Sequence, residues 1–411
     1  MKMSDVPGRI VVIGAGHAGV ELAAALRHKA YSGTIDLISD EDEVPYQRPP
    51  LSKEYIKRGG KMQALVLKPE QFFSDNSVTL RRGVSAVAVD RNARTVELST
   101  GDTLHYDHLV FATGARNRVP PVPSLDNPAV LGLRTLADAD RLVVEVGRVK
   151  RVVVIGGGFI GLEAAGLLRE FGIEVDVVEM ADRLMQRAIS PTMSKWFLES
   201  HIGAGARVHL NTQVTGVDFS QAEARVKLSD GSELAADAVI LAAGVVPNVE
   251  LAKASGLAVE NGIVVDAQMA TTDPAVSALG DCAFYPSVHL PGMARLESVQ
   301  NATDQARALA ERLMGEGKPY DALPWFWSIQ GAARLQIAGL AKPGLTEVVR
   351  GNPAEGKFSV FLFDGERLAA VESVNAPADH MIARRLIARD AAITPAQAAD
   401  LAFDIKALSA G

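Results

Sequence analysis

The sequence predicts an α/β chain in which one parallel-sheet unit is used twice and a smaller α+β domain follows. Three observations carry this. An apolar strand, a glycine-rich turn and an Ala/Leu-rich helix open the chain. The same series returns from Arg151. Past Lys318-Pro319 the texture changes to aromatics and short strands.

Arg9-Ile10-Val11-Val12-Ile13 is apolar nearly throughout, as a strand covered on both faces of a parallel sheet must be. It runs into Gly14-Ala15-Gly16-His17-Ala18-Gly19. In such a turn the first glycine makes the tight bend, the second lets the backbone approach a pyrophosphate, and the third lets the helix pack on the strand. The helix, expected to about Ala30, aims its first N–H groups at the phosphates. A second strand, Ile35 to Ser39, ends in Asp40, 21 residues past Gly19 (40 − 19), where a carboxylate can accept from a ribose. The glycines alone are a weak signal. Strand, glycines, helix and acid in register make a Rossmann-like dinucleotide-binding unit.

The bulk properties narrow the class. The 411 residues suggest two or three domains. A hydrophobic content of 48% against 22% charged residues supports a large core. A net charge of −7 argues against general nucleic-acid binding. The single cysteine, Cys282, permits no intrachain disulfide and fits a reducing compartment. The first residues lack the apolar stretch of a signal peptide, and no run is long enough to span a bilayer. The expectation is a cytoplasmic protein. No His/Cys cluster has metal-ligand spacing, so no metal is expected.

After Asp40 the segment Pro45 to Lys53 is stiffened by prolines and brings Arg48 and Lys53 beyond the sheet edge. Strands are expected within Val78 to Val89, with a hairpin from Thr95 to Tyr106. A buried strand from His108 ends at Ala112-Thr113-Gly114. Val119 to Pro123 reads as a linker, and Leu136 to Val146 as an amphipathic helix.

Val152 to Ile155 then leads into Gly156-Gly157-Gly158-Phe159-Ile160-Gly161, an offset of 142 (156 − 14). A helix from Leu162 to Phe171 and a strand from Glu174 follow, ending at Glu179, 18 residues past Gly161 (179 − 161). Two complete fingerprints in one chain are far more informative than one. Strand-rich segments run from Val208 to Asp218, Ala224 to Leu228 and Glu233 to Ala236. The strand Ala238 to Leu241 reaches Ala242-Ala243-Gly244 as its counterpart reaches Gly114. A helix is expected over Ser298 to Met314. Short strands lie at Trp325 to Trp327, Leu335 to Ala338, Glu347 to Arg350, Ser359 to Phe363 and Leu368 to Val374, with closing helices at Ala378 to Ala388 and Pro395 to Ala402. The expected divisions are 1–115 with 246–322, then 116–245, then 323–411.

Glu163 lies two residues past Gly161, where a purely structural role would favour an apolar side chain. A buried glutamate needs a partner, and Lys53 is the candidate. Cys282 reads as a small core residue and His17 as a helix-start residue. Trp325 and Trp327 read by pattern as core.

These residues resemble a known family, the pyridine-nucleotide, FAD-dependent ferredoxin reductases of oxygenase systems. Its carriers are Arg48 to Lys53, Gly158 to Ala165, Leu279-Gly280-Asp281, Glu297-Ser298-Val299 and Pro324 to Ser328. The resemblance implies that the first fingerprint holds FAD through Gly14, Gly16, Ala18, Gly19 and Asp40. It adds Arg48, Lys53, Val84, Ala112, Arg134, Gly280, Asp281, Val299 and Trp327 to the FAD site. It implies NADH on the second fingerprint, through Gly156, Gly158, Ile160, Gly161, Glu163, Glu179 and Gly244. Lys53 near the flavin N5, its partner Glu163, and Trp327 against the flavin ring are the implied catalytic set. The chain departs from the family's Trp-Ser-Asp-Gln in carrying Ile329 after Ser328.

The implied reaction takes hydride from NADH onto FAD and passes single electrons to a [2Fe–2S] ferredoxin that serves an oxygenase such as a cytochrome P450. The alternatives are a thiol- or peroxide-reducing flavoprotein, which needs a redox cysteine that the segment after Asp40 lacks, or a non-catalytic NADH-responsive interaction protein. Glu179 should favour NADH over NADPH, with Arg183 as a possible competitor for a phosphate. Arg307, Arg312 and Lys342 are candidates for a locally basic docking face on an acidic chain. Neither a nucleic-acid nor a membrane partner is expected.

Overall fold

The computed structural model describes residues 6–61, 65–221 and 223–409; residues 1–5, on which the absence of a leader was partly read, lie outside them. The chain divides into two compact units. One comprises 1–47, 63–116 and 246–322, the other 48–62, 117–245 and 323–411.

The first unit is built on a five-stranded parallel sheet in the order Val276–Ala278, His108–Phe111, Arg9–Ile13, Thr34–Ile38, Val78–Arg81. Ile10, Val11 and Val12 in its central strand have no exposed surface. The helix His17–His28 follows the turn and ends two residues before the expected Ala30, with Arg27 and His28 in its last turn. It packs against the long helix Val299–Leu313, capped by the Ser298 hydroxyl accepting from Asn301 N–H at 3.0 Å. A small antiparallel sheet, Ala86–Asp90, Thr95–Leu98 and Thr103–His105, is inserted before the strand at His108.

The second unit repeats this plan. Its parallel sheet runs Arg207–His209, Glu174–Val178, Arg151–Ile155, Ala238–Leu241, Val130–Leu131. A three-stranded antiparallel insertion, Val214–Asp218, Ala224–Leu228 and Glu233–Ala236, again precedes the last core strand. The helix after the turn is Phe159–Glu170, three residues earlier than the expected Leu162, because Gly158 already serves as its N-cap. A further helix, Pro191–Gly203, starts from Ser190, whose hydroxyl accepts from Met193 N–H at 3.2 Å.

Each sheet buries an aspartate at the midpoint of its second strand. Asp36 takes Arg9 at 2.9 Å and Arg81 at 3.0 Å. Asp176 takes Arg207 at 2.7 Å and His209 at 2.8 Å. Burial alone would raise the Asp176 carboxyl, but its bonds to the Arg207 guanidinium and to His209 hold it below its ordinary value. A buried carboxylate with fewer partners would cost several kcal/mol.

The C-terminal part of the second unit is a five-stranded antiparallel sheet, ordered Trp325–Gln330, Ala333–Gly339, Arg367–Val374, Lys357–Asp364, Thr346–Asn352. The helix Pro377–Ala388 covers it, and Phe361, Phe363, Val371 and Ala383 are fully buried between them. The last α-helix is Pro395–Ala399, ending short of the expected Ala402. The fold class expected from the sequence is the one observed.

Candidate active site

The two glycine turns have nearly the same geometry. Gly14 sits at φ +111° and Gly156 at φ +112°. A Cβ at either would lie 2.2 or 2.3 Å from a backbone carbonyl oxygen, that of Ala112 or Ala242. A Cβ on Gly19 or Gly161 would lie 2.0 or 2.1 Å from the carbonyl oxygen of the turn's own first glycine. These positions are fixed by the protein itself. Gly16 and Gly158 differ: nothing lies within 4 Å of a Cβ there. The fold does not require glycine at these two positions, and a side chain would fill only the space in front of the helix N-terminus. That is the cradle a pyrophosphate needs.

The remaining first-unit residues assigned to FAD cluster around this turn. Ala112 follows the adjacent strand His108–Phe111, and its N–H donates to Ile13 O at 2.8 Å. Val84 N–H donates to Ser39 O at 2.9 Å, next to Asp40. Gly280, at φ +76°, approaches Ala18 so closely that a Cβ would sit 3.1 Å from the alanine methyl. Its N–H donates to the Gln305 side chain at 2.8 Å. Gln305 is fully buried, and its Nε2 has no partner among the described residues. Asp281 and Val299 are half-buried. Asp40 is exposed and forms no hydrogen bond among the described residues, so both its oxygens remain available to a ribose.

In the second unit the acid is already engaged. Glu179 accepts from Gly157 N–H at 2.7 Å and from Ala181 N–H at 2.8 Å. Each carboxylate oxygen keeps a second lone pair for a ribose hydroxyl. The Arg183 guanidinium donates to Ile189 O and Gln186 O, both at 2.8 Å. Gly244, at φ +90°, accepts from Arg118 N–H at 2.9 Å. Ile160 is 44% exposed at the start of the helix. The donor set and open space of the two turns fit two dinucleotides.

Arg48, Lys53, Arg134 and Trp327 belong to the second unit. Arg48 donates to Arg134 O at 2.8 Å. Lys53 and Glu163 meet as the sequence suggests, with Nζ 2.5 Å from Oε2. Glu163 is 3% exposed, and its carboxylate is surrounded by donors. Ser52 Oγ donates to Oε2 at 2.6 Å, Ser328 Oγ to Oε1 at 2.7 Å, and Ile329 N–H to Oε1 at 3.3 Å. Ser52 and Ser328 were quoted in the motifs but not recognised as Glu163 partners. Ile329 contributes its backbone here, while its side chain is turned outward. Trp327 is half-buried and stacks on Trp325 with ring centroids 5.5 Å apart. Phe326 packs on Phe159 at 4.6 Å.

The three docking candidates are all internally engaged. Arg307 pairs with Glu21 at 2.8 Å and Lys342 with Asp364 at 2.5 Å. Arg312 is partly buried and donates to Ser277 Oγ at 2.9 Å. The Cys282 thiol is fully buried and donates to Leu279 O at 3.3 Å; burial pushes its pKa up, opposite to the requirement for a thiolate nucleophile. Among the described residues no three His, Cys, Asp or Glu side chains gather as a metal site, and no helix is long and apolar enough to cross a membrane.

Two dinucleotide turns on parallel sheets, with an ion pair buried beside the second, define a nucleotide-dependent oxidoreductase. The family described as pyridine nucleotide-disulphide oxidoreductase matches residues 8–306, and a reductase C-terminal domain matches residues 325–409. The chain belongs to the pyridine nucleotide-disulphide oxidoreductase family, and its cofactors are FAD and NAD(P)H. It is 49% identical to rhodocoxin reductase of Rhodococcus erythropolis over 398 residues, covering 97% of this chain and 93% of that one. Among solved structures it is similar to the ferredoxin reductase for the CYP199A2 system from Rhodopseudomonas palustris, with TM-score 0.95, 48% identity, and 98% and 100% of the two chains covered. It is also similar to the reductase in the covalent putidaredoxin reductase–putidaredoxin complex, with TM-score 0.93, 37% identity and 98% of each chain covered.

Proposed function

We propose that this protein is an NADH-dependent ferredoxin reductase that delivers single electrons to a [2Fe–2S] ferredoxin serving an oxygenase such as a cytochrome P450. The observation that carries the reading is similarity along nearly the whole chain to reductases of that kind, one of them solved joined to its ferredoxin. When bound, FAD accepts a hydride from NADH and gives up the electrons one at a time. The buried Cys282 favours this route over thiol chemistry.

In this reading the first turn binds the FAD pyrophosphate at Gly16, Asp40 accepts from its ribose, and Gly280, Asp281 and Val299 line the same cofactor. The second turn binds NADH at Gly158, with Glu179 on the adenosine ribose. Lys53 places a fixed positive charge where negative charge arrives with the hydride, and Glu163 holds that ammonium in place. Trp327 would approach the flavin ring. The single buried cysteine suits a reducing cytoplasm.

The test is NADH-driven reduction of purified [2Fe–2S] ferredoxins, followed through cytochrome c, beside disulfide and peroxide acceptors. Faster turnover with a ferredoxin is expected. A disulfide or peroxide turned over faster than every ferredoxin would overturn the reading.

A further inference from the structure

The strand Trp325–Gln330 inverts the usual pattern of a half-buried strand. Ser328 and Gln330 face inward, at 0% and 4% exposure, while Ile329 between them is 38% exposed. Polar side chains turned into a core need partners, and these form a continuous chain. His201 Nε2 lies 2.9 Å from Gln330 Oε1. Gln330 Nε2 donates to Ser328 Oγ at 3.2 Å and to Met185 Sδ at 3.4 Å. Ser328 Oγ donates to Glu163 Oε1 at 2.7 Å.

We propose that His201 and Gln330 fix the direction of the Ser328 hydroxyl and so hold Glu163 where it orients Lys53. Ser328, Gln330 and His201 are thus positioning residues for the hydride step. The proposal rests on the Lys53–Glu163 reading above.

The argument is one of donors and acceptors. A serine hydroxyl has one hydrogen to give. With a Gln330 N–H on its oxygen, that hydrogen goes to Glu163. Were the amide turned over, Gln330 Oε1 would face Ser328 and take the hydrogen, leaving Glu163 Oε1 with Ile329 N–H alone at 3.3 Å. Met185 sets the amide against that turn: its Sδ can only accept, so it selects the Nε2 side. Oε1 then faces His201 Nε2 at 2.9 Å, and the ring completes the arrangement as the tautomer that donates from Nε2. This orientation satisfies every member of the chain. Lys53 is the charged group bonded to Glu163; Ser52, Ser328 and Ile329 N–H are uncharged donors, and His201 is the titratable group at the far end.

The experiment measures stopped-flow reduction by NADH of the FAD-loaded full chain, for Ser328→Ala, Ser328→Thr, Gln330→Leu and Glu163→Gln. Ser328→Ala should slow reduction about tenfold, the size of one hydrogen bond to a charged group, with flavin content and NADH KM unchanged. Ser328→Thr should restore the rate, and Gln330→Leu should slow it by less. Independently of turnover, the Glu163 carboxylate stretch, found by infrared subtraction of Glu163→Gln, should shift in Ser328→Ala, where one hydrogen bond to Oε1 is lost, and return in Ser328→Thr. Slow reduction in Glu163→Gln with a wild-type rate and an unmoved carboxylate band in Ser328→Ala overturns the proposal alone. A wild-type rate in Glu163→Gln overturns the Lys53–Glu163 reading and the proposal with it. A Ser328→Ala defect that Ser328→Thr does not repair also overturns the proposal.

Discussion

Glu21 and Glu163 stand at the same place in the two repeated units, two residues past the third glycine of each turn. Their fates differ. Glu21 is 21% exposed and meets Arg307, itself 61% exposed, at 2.8 Å. Glu163 is 3% exposed and has four donors, among them Lys53 at 2.5 Å. The turns cannot explain this, since their glycines superpose in φ and in the contacts a Cβ would make. The difference is the layer laid over each helix. The first helix packs against the helix Val299–Leu313, whose Arg307 reaches solvent. The second is covered by the strand Trp325–Gln330, so closely that a Cβ on Gly166 would lie 2.8 Å from Gly331 N. A repeated scaffold leaves its glutamate as a surface charge in one unit and buries it in a polar network in the other.

The largest effect should come from filling the open space of each turn. Gly16→Val and Gly158→Val both put a branched side chain where the protein has no atom within 4 Å of the Cβ, in extended backbone that any residue adopts. Both variants should fold. Gly16→Val should purify without flavin. Gly158→Val should keep its flavin and raise the NADH KM more than about tenfold, roughly 1.4 kcal/mol of binding. Flavin absorbance and steady-state kinetics check the pair, and a reversal would exchange the cofactors between the turns.

Next come the two glutamates. Removing Glu163 leaves an ammonium buried without its carboxylate, a loss of about 3–5 kcal/mol. Removing Glu21 breaks an exposed pair, for about 0–1 kcal/mol. Denaturant unfolding of Glu163→Ala and Glu21→Ala should separate accordingly, and only Glu163→Ala should slow flavin reduction. Equal losses would mean that the covering layer does not matter.

What the sequence disclosed follows the same division. The turns were legible because their glycines answer to local backbone geometry, repeated at an offset of 142 with strand and helix in place. The Lys53–Glu163 pair was legible because a charge stood where an apolar residue was expected. The helix Pro191–Gly203 was not read from periodicity: Met193 and Phe197 are buried while Ile202 is exposed, so no clean apolar stripe forms. Its Ser190-Pro191 start was the better signal. Ser328 and Gln330 were missed because alternation in a strand gives two faces without saying which is inside. The outward Ile329 between two polar residues marks the inversion only once the sheet is seen.

The acids of the two turns supply a smaller contrast. Asp40 forms no hydrogen bond among the described residues, whereas Glu179 also braces its own turn through Gly157 N–H. A 2′-phosphate against Glu179 would meet like charge and forfeit a ribose hydrogen bond, worth roughly 1.5–3 kcal/mol. NADH should therefore exceed NADPH in kcat/KM by about 10- to 150-fold. Glu179→Gln should narrow that ratio while Asp40→Asn leaves it unchanged. Equal kcat/KM for the two nucleotides in the wild type would remove Glu179 as the discriminator.

The smallest effect tests how the antiparallel sheet of the second unit is tied to its nucleotide-binding part. Glu372, at 0% exposure in the strand Arg367–Val374, accepts from Ser190 N–H at 2.8 Å and from Ser190 Oγ at 2.6 Å, bracing the start of the helix Pro191–Gly203. Burial pushes its carboxyl up to about 7, with Glu347 adding to the rise; the Ser190 bonds and Arg183 oppose it. Folded Glu372 thus holds its proton more tightly than the unfolded chain, whose value is near 4.5. Stability from this group is full below that value and falls as pH rises towards about 7, above which the folded state carries a buried charge at full cost. Glu372→Gln keeps an acceptor for Ser190 N–H and carries no charge. Its melting temperature should match the wild type near pH 5 and exceed it by a few degrees at pH 8. A gap that is constant with pH would show that the carboxyl does not titrate in this range, leaving the Ser190 bonds as a purely packing contact.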